Sequence, residues 1–299
     1  MPSIIVKFTT FLALNFLLQL GIISNAAAQL IEQKDQKEQK EPASERSERL
    51  KPSEKAAWRK HAFYFQWGYN REVYTPSDIR FYRQGVGGYD FTVHQAIAED
   101  RPTFNAIYEA PLEISIPQYN CRLGFFLDEA RTSAIELNFD HTKYVVKDWQ
   151  TARVTGTMFG KTIDSMMVLN PHNFLHFEHT NGANFLQLNY VRQFALLQNK
   201  AKNRNLLTAI AKIGAGIVIP KTDVTLWGKQ LDNEFHIAGY TAATELGIRY
   251  YPLQRFFIEP TVKGGFANYT DVLTLDEGKA SHSFWYAEAI LSVGYEWRF

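Results

Sequence analysis

The chain has 299 residues, of which 45% are hydrophobic and 21% charged, with 32 Lys and Arg against 31 Asp and Glu. A formal charge of +1 gives no global electrostatic case for nucleic acid or an acidic partner, and a mean hydropathy of −0.27 lies below what several spanning helices would give. The single cysteine, Cys121, excludes an intramolecular disulfide framework and a cysteine-based zinc cluster.

The first residues have the form of a secretory signal. Lys7 precedes an apolar run from Phe8 to Ile23, and Ala26-Ala27-Ala28 is the small-residue pattern that a signal peptidase accepts. This predicts a signal peptide over 1–28, cleaved after Ala28, with Gln29 as the new N-terminus. The alternative is an uncleaved anchor, against which Asn15 and Gln19 weigh. No later stretch is apolar for the ~20 residues that a spanning helix needs. Residues 29–60 are dense in both charge signs and nearly free of aromatics, so they cannot bury enough surface to offset chain entropy. They read as a charged periplasmic tether. The alternative is a short docking helix, whose length Pro42 and Pro52 limit.

From Ala62 the pattern becomes strict alternation. Phe63, Phe65, Trp67 and Tyr69 oppose Gln66, Gly68 and Asn70, and a period of two puts the two sets on opposite faces of a strand. The signal returns along the chain. Cys121, Leu123 and Phe125 oppose Arg122 and Gly124, and Ile135, Leu137 and Phe139 oppose Glu136, Asn138 and Asp140. Ala211, Ile213 and Ile217 oppose Lys212, Gly214 and Gly216, and Leu246, Ile248 and Tyr250 oppose Glu245, Gly247 and Arg249. Ile258, Val262 and Phe266 oppose Glu259 and Lys263, and Leu291, Val293 and Tyr295 oppose Glu288, Ser292 and Gly294.

A soluble sandwich also alternates. Two features favour a membrane barrel. The polar face carries both charge signs at Arg122, Glu136, Asp140, Lys212, Glu245, Arg249, Glu259, Lys263 and Glu288, a mix suited to a narrow lumen where charges pair. The apolar face is rich in aromatics near strand ends, as interfacial girdles require; aromatics are 14% of the chain.

The last residues, Ser292-Val-Gly294-Tyr-Glu-Trp297-Arg-Phe299, place a polar residue, a glycine and two aromatics in fixed order. This resembles the terminal-strand signal by which the barrel-assembly machinery recognises outer-membrane barrels. Ser292, Gly294, Trp297 and Phe299 are the matching positions.

Short polar connections at 128–131, 199–205 and 252–255 alternate with longer ones at 71–111, 147–182, 220–235 and 271–282, the rhythm of short periplasmic turns and long outer loops. Strands are expected near 62–70, 112–127, 132–146, 183–196, 205–219, 236–251, 256–270 and 283–299. The expected fold is all-β: a closed antiparallel up-and-down transmembrane β-barrel over 61–299, of about eight strands. The segments 88–94 and 153–158 are either extensions above the membrane or a pair that raises the count to about ten.

From Ala62 to Phe299 the chain resembles the small outer-membrane β-barrels, the group that includes outer-membrane protein A-type barrels. Trp67-Gly-Tyr-Asn-Arg71, Gly88-Tyr-Asp-Phe-Thr92 and Phe177-Glu-His-Thr-Asn-Gly182 also resemble segments of uncharacterised Gram-negative barrel proteins. The resemblance implies residence in the outer membrane, with lipid, lipopolysaccharide and the assembly machinery as partners, and it implies no cofactor. It does not assign an activity.

Three functions stay open. The first is a structural or surface-interaction barrel with a lumen filled by side chains, as the width of about eight strands allows. The second is a narrow pore for small or apolar molecules, for which Gly214, Gly216, Gly247 and Gly294 leave room. The third is a lipid hydrolase using His179. Barrel lipid hydrolases place a nucleophilic serine two residues after the histidine, whereas here the hydroxyl is the adjacent Thr180, which a strand points to the other face. His179-Thr180-Asn181-Gly182 reads more simply as a loop-fixing turn. His172, His176, His179 and Glu178 form a loose cluster without a strong metal-ligand spacing, best read as a solvated loop.

Overall fold

The computed structural model describes residues 62–102, 118–179, 182–199 and 204–298. The predicted signal peptide and tether, Thr180, Asn181 and Phe299 lie outside these residues. The described chain forms sixteen strands in chain order. The first eight are β1 (Ala62–Tyr74), β2 (Ser77–Arg83), β3 (Tyr89–Ala96), β4 (Ala98–Glu99), β5 (Tyr119–Phe126), β6 (Ser133–Asp140), β7 (Tyr144–Val146) and β8 (Thr151–Met158). The others are β9 (Lys161–Val168), β10 (Leu175–His179), β11 (Ala183–Asn199), β12 (Arg204–Leu226), β13 (Lys229–Phe235), β14 (Gly239–Tyr250), β15 (Phe256–Leu273) and β16 (Lys279–Arg298).

Eight of them close on themselves. β1 pairs with β5, β5 with β6, β6 with β11 and β11 with β12. β12 then pairs with β14, β14 with β15, β15 with β16, and β16 returns to β1, every pair antiparallel. Closure leaves no ladder edge exposed to lipid, which a membrane-spanning sheet requires. Alternation sets the two faces. On β16, Ser292 and Glu296 are buried inside while Leu291, Val293 and Tyr295 are exposed outside. The exposed outer surface from Trp285 to Tyr295 fits the ~9–11 residues of a tilted spanning strand.

The turn from β5 to β6 is fixed locally. The Asp128 carboxylate accepts the backbone N–H groups of Thr132 at 2.8 Å and Ser133 at 2.7 Å. This turn lies at the end of the barrel where Ala62 pairs with Arg298, so the chain's described ends and this short turn share one end of the barrel.

At the opposite end the wall continues into a folded head. One sheet, β2-β3-β8-β9, is hydrogen-bonded onto β16 through Ser281 and Arg80. A second, β4-β7-β10, joins the outer part of β12, which also pairs with β13. Their inner faces share one apolar core. Ile79, Phe81, Phe91, Val93 and Val154 of the first sheet meet Val146, Leu175, Phe177, Val224 and Leu226 of the second. Phe81 stacks on Phe91 at 5.2 Å and meets Phe177 edge-on at 5.2 Å.

The connections expected as long loops are therefore largely strands. The segments 89–96 and 151–158 pair with each other in the head, so the barrel keeps eight strands. Residues 144–146 belong to the head, since the expected strand over 132–146 breaks after Asp140. The expected loop over 220–235 is the outer end of β12, a turn at Trp227-Gly228, and β13.

Candidate functional site: the filled lumen and its outer cap

The barrel interior is built in layers. At the end of the barrel where Ala62 pairs with Arg298 lies an aromatic floor of Tyr64, Phe126, Tyr251 and Phe257. Two of these rings occupy space left by glycines on neighbouring strands. A Cβ on Gly124 would stand 2.0 Å from the Tyr64 ring, and one on Gly294 2.2 Å from the Phe257 ring. Arg249 is held against the floor, its guanidinium 4.5 Å from the Tyr64 centroid and 4.0 Å from that of Phe257. Its Nε donates to Glu259.

Above the floor is a charged layer. Lys212 Nζ lies 2.8 Å from Glu259, 3.2 Å from Glu136 and 3.3 Å from Glu245. Arg122 donates to Glu245 at 2.6 Å and, through Nε, to Asn138 at 2.7 Å. Tyr64 donates its hydroxyl to Glu136 at 2.7 Å, tying this layer to the floor. Lys263 pairs with Asp140 and donates to Gln187 at 2.5 Å. All nine charged side chains singled out in the sequence are buried. Arg122, Lys212, Glu136, Glu245 and Glu259 form one cluster. Glu288 stands apart: it is 3.8 Å from Lys263 and takes its short hydrogen bond, 2.7 Å, from Asn70. Its register partner across the β1–β16 ladder is another acid, Glu72, which accepts the Tyr74 hydroxyl.

Higher still the interior turns aromatic again. Tyr144 stacks on Phe284 at 4.6 Å, and Tyr269 stacks on His282 at 4.7 Å and His179 at 5.1 Å. The two histidines face each other, Nε2 to Nε2, at 3.3 Å, and His179 Nδ1 meets Thr222 Oγ1 at 2.9 Å. His179 is thus a fully buried member of the cap and not a solvated loop residue. The correction has a simple cause: β10 is a strand of the head, and its inward parity carries Phe177 and His179 together into the core. Burial pushes the His179 imidazole down to about 3, against partial opposition from Glu178. Among the described residues the ring nitrogens of His179 meet Thr222 and a second imidazole, His282.

His176, on the other face of β10, is held between Glu178 at 3.2 Å and Asp148 at 2.8 Å. The hydrogen bond with Glu178, helped by Asp148, lifts it to about 9 despite partial burial. His172 packs against Trp149 instead. The three histidines are therefore not brought together. Among the described residues no group of three or more His, Cys, Asp or Glu has metal-binding spacing.

The four glycines that leave room for a pore have neighbours in that room. Besides the Phe257 ring at Gly294, the Asn189 side chain lies against Gly214, the ladder backbone of β11 against Gly216, and Thr261 against Gly247. Of the terminal-strand residues, Ser292 donates to Asn120 at 3.2 Å inside the lumen, and Trp297 stacks on Phe63 at 4.9 Å. Sequence alternation did not single out Tyr64, Phe257 and Tyr286 as lumen residues. The available signal was a glycine directly across the ladder or one strand over: Gly124, Gly294 and Gly265 each lie under one of these rings.

No protein-family model matches the chain, and no curated protein matches it. Solved structures do. The outer membrane protein OprG of Pseudomonas aeruginosa overlaps 81% of this chain and 98% of its own, at 11% identity and a TM-score of 0.39. The N-terminal β-barrel domain of Pseudomonas aeruginosa OprF overlaps 80% and 99%, at 12% identity and a TM-score of 0.34. Neisserial surface protein A overlaps 78% and 97%, at 8% identity and a TM-score of 0.34. Closed pairing of eight antiparallel strands, an apolar outer belt and a polar interior together define the class. The chain has the fold of a small, closed, eight-stranded antiparallel membrane-spanning β-barrel.

Proposed function

We propose that the protein is a non-conducting anchor: a barrel whose task is to hold a folded head rigidly above the outer membrane for surface interaction. The observation that carries this reading is the continuous filling of the interior. An aromatic floor, a paired charged layer and an aromatic cap follow one another with side chains in contact. Ions crossing such a lumen have to separate Lys212 from three carboxylates and also part the stacked rings above. Two walls of the cap, β15 and β16, are barrel strands that continue outward, and Tyr144 of β7 and His179 of β10 pack against them, so this part of the head shares the rigidity of the ladder. That suits presentation of a surface better than gating.

The test is conductance of the full-length protein reconstituted in a planar bilayer. The expected trace stays at the level of the protein-free membrane at both polarities. Reproducible unitary steps from protein shown to be folded by heat-modifiable gel mobility would favour the narrow pore instead.

A further inference from the structure

The outward face of the wall changes chemistry at one level on two neighbouring strands. On β15 it runs from Val262 through Phe266 to Asn268 and Thr270. On β16 it runs from Leu291 through Trp285 to Ser283 and Ser281. Phe266 and Trp285 are register partners with rings 5.1 Å apart, and Trp285 is 64% exposed. An exposed aromatic pair at the end of an apolar belt marks the membrane–water interface. The next outward pair, Asn268 and Ser283, sits one two-residue step farther out, about 7 Å along the strands. That height is the headgroup layer of the outer leaflet.

At this height the wall meets the head. Ser281 pairs with Arg80 of β2, and the outward faces of β15, β16, β2 and β3 enclose an open groove of about 460 Å³. Its polar lining includes Asn268, Ser281 and Ser283 from the barrel and Arg80, Tyr82 and Thr92 from the head. Arg80 is held in place: it donates through Nε and Nη2 to Asp90 at 2.7 and 2.6 Å and lies 5.1 Å over the Tyr82 ring. Asp78, also in the lining, accepts the Gln95 backbone N–H at 2.8 Å.

The lining discriminates between ligands. Arg80 is matched by Asp90 and Asp78, so a bare anion meets no excess positive charge. The barrel side offers mainly hydroxyl and amide groups, with the buried rings of Tyr269 and His282 also in the lining. Hydroxyls and an amide that both donate and accept, beside a fixed guanidinium–carboxylate pair, complement the hydroxyls of a sugar. We propose that this groove binds a saccharide, and that its occupant is the sugar headgroup of a glycolipid in the leaflet the barrel spans. The height of the groove above the Phe266–Trp285 pair and its opening on the outer side of the wall select that source. The proposal requires the outer-membrane orientation of the barrel and is independent of whether the lumen conducts.

The test uses the full-length protein in detergent, with bound lipid counted by native mass spectrometry. The probes are a glycolipid carrying core sugars, phosphatidylethanolamine, and the same core oligosaccharide free of lipid. The variants are Arg80→Gln and Asn268→Leu, both at exposed or half-exposed positions, with Arg153→Gln as control. Arg153 forms the same kind of exposed pair, with Asp164 at 2.8 Å, on β8 and β9 away from the groove. Heat-modifiable mobility verifies that each variant is folded. The expected result is retention of the glycolipid over phosphatidylethanolamine, weakened about tenfold by Arg80→Gln or Asn268→Leu, as loss of one or two good hydrogen bonds gives, and unchanged by Arg153→Gln. Equal retention of the two lipids overturns the proposal, as does retention indifferent to the groove variants. Free oligosaccharide binding as tightly as the glycolipid overturns the membrane source and makes the groove a site for soluble glycans.

Discussion

The barrel and the head share the strands β12, β15 and β16 but keep opposite chemistry inside. On β12 the inward side chains begin with Lys212, Gly214 and Gly216 and continue as Val218, Val224 and Leu226. Its outward side chains begin with Ile213 and Ile217 and continue as Lys221 and Asp223. On β16 the inward series turns from Glu296, Ser292 and Glu288 to Phe284 and Ala280 on passing Trp285. The strand does not change and neither does its parity. What changes is the medium outside: hydrocarbon below the surface, water above it. Below, the polar face has to be the enclosed one, and every charge there needs a partner. Above, the ordinary hydrophobic effect returns and the apolar face closes inward. The level of inversion is therefore a physical marker of the membrane surface, read from side chains alone.

This contrast makes the two regions separately breakable. The largest expected effect comes from Lys212→Met. The substitution keeps the length of the side chain but leaves Glu136, Glu245 and Glu259 without their shared cation in a buried site. Breaking a buried ion pair by removing one partner costs about 3–5 kcal/mol. The urea midpoint of the barrel, followed by heat-modifiable mobility, is expected to fall, while the head's resistance to protease in the molecules still folded stays at the wild-type level. A variant with an unchanged midpoint means that the lumen is hydrated enough to replace the lysine.

Phe81→Ala is the converse experiment and comes next in size. Phe81 is fully buried between Phe91 and Phe177. Truncating a buried phenylalanine costs about 3–5 kcal/mol, but here the loss falls on the head. Limited proteolysis is expected to cut β2, β3 or β8 early and to leave a barrel core with wild-type gel mobility. Loss of the barrel shift in the same variant would show that head and barrel fold as one cooperative unit.

The inversion also explains what the sequence disclosed. Closure, strand direction and the lumen parity of Arg122, Glu136 and Lys212 follow from alternation, because period two survives wherever one face is dry. The outer half of β12 was read as a loop because its apolar residues move from odd positions, Ile217 and Ile219, to even ones, Val224 and Leu226. A parity switch in sequence looks like the end of a strand. Here it is one strand leaving the bilayer. The strands at 89–96 and 151–158 were visible as segments, but that they pair with each other in the head was not, since the pairing joins residues some sixty positions apart with two barrel strands, β5 and β6, between them. The cap at His179 was hidden for a related reason. His282 and Tyr269, which enclose it, come from strands distant in sequence, and a lone histidine beside Thr-Asn-Gly carries the composition of a turn.

The smallest effect, and the one that probes the cap alone, is the response to pH. Two histidines three residues apart on β10 respond in opposite directions. His179 is held down at about 3 by burial, facing His282, with Tyr144 and Tyr269 as its ring neighbours and Glu178 opposing the shift. A histidine depressed in the folded state takes up its proton first in the opened state. Its contribution to stability is therefore complete above an ordinary histidine value of about 6.5 and is lost as pH falls toward 3, at up to about 1.4 kcal/mol per pH unit. His176 is raised to about 9 by Glu178 and Asp148, so its smaller, partly screened contribution is complete below about 6.5 and lost as pH rises through 9. The head is then expected to loosen on both sides of neutrality, and more steeply on the acid side. Amide hydrogen exchange reads this directly. Protection factors in β7 and β10, that is, exchange normalised to the intrinsic chemical rate, should fall between pH 6 and pH 4, while the barrel ladder of β11 keeps its protection. His179→Phe should reduce the acid limb, of which His282, also lowered by burial, keeps a part, and should leave the alkaline limb, whereas His176→Gln should remove the alkaline limb and leave the acid one. Equal acid acceleration in β11 and β10 would instead place the responsive group in the barrel, among the carboxylates that surround Lys212 and Lys263.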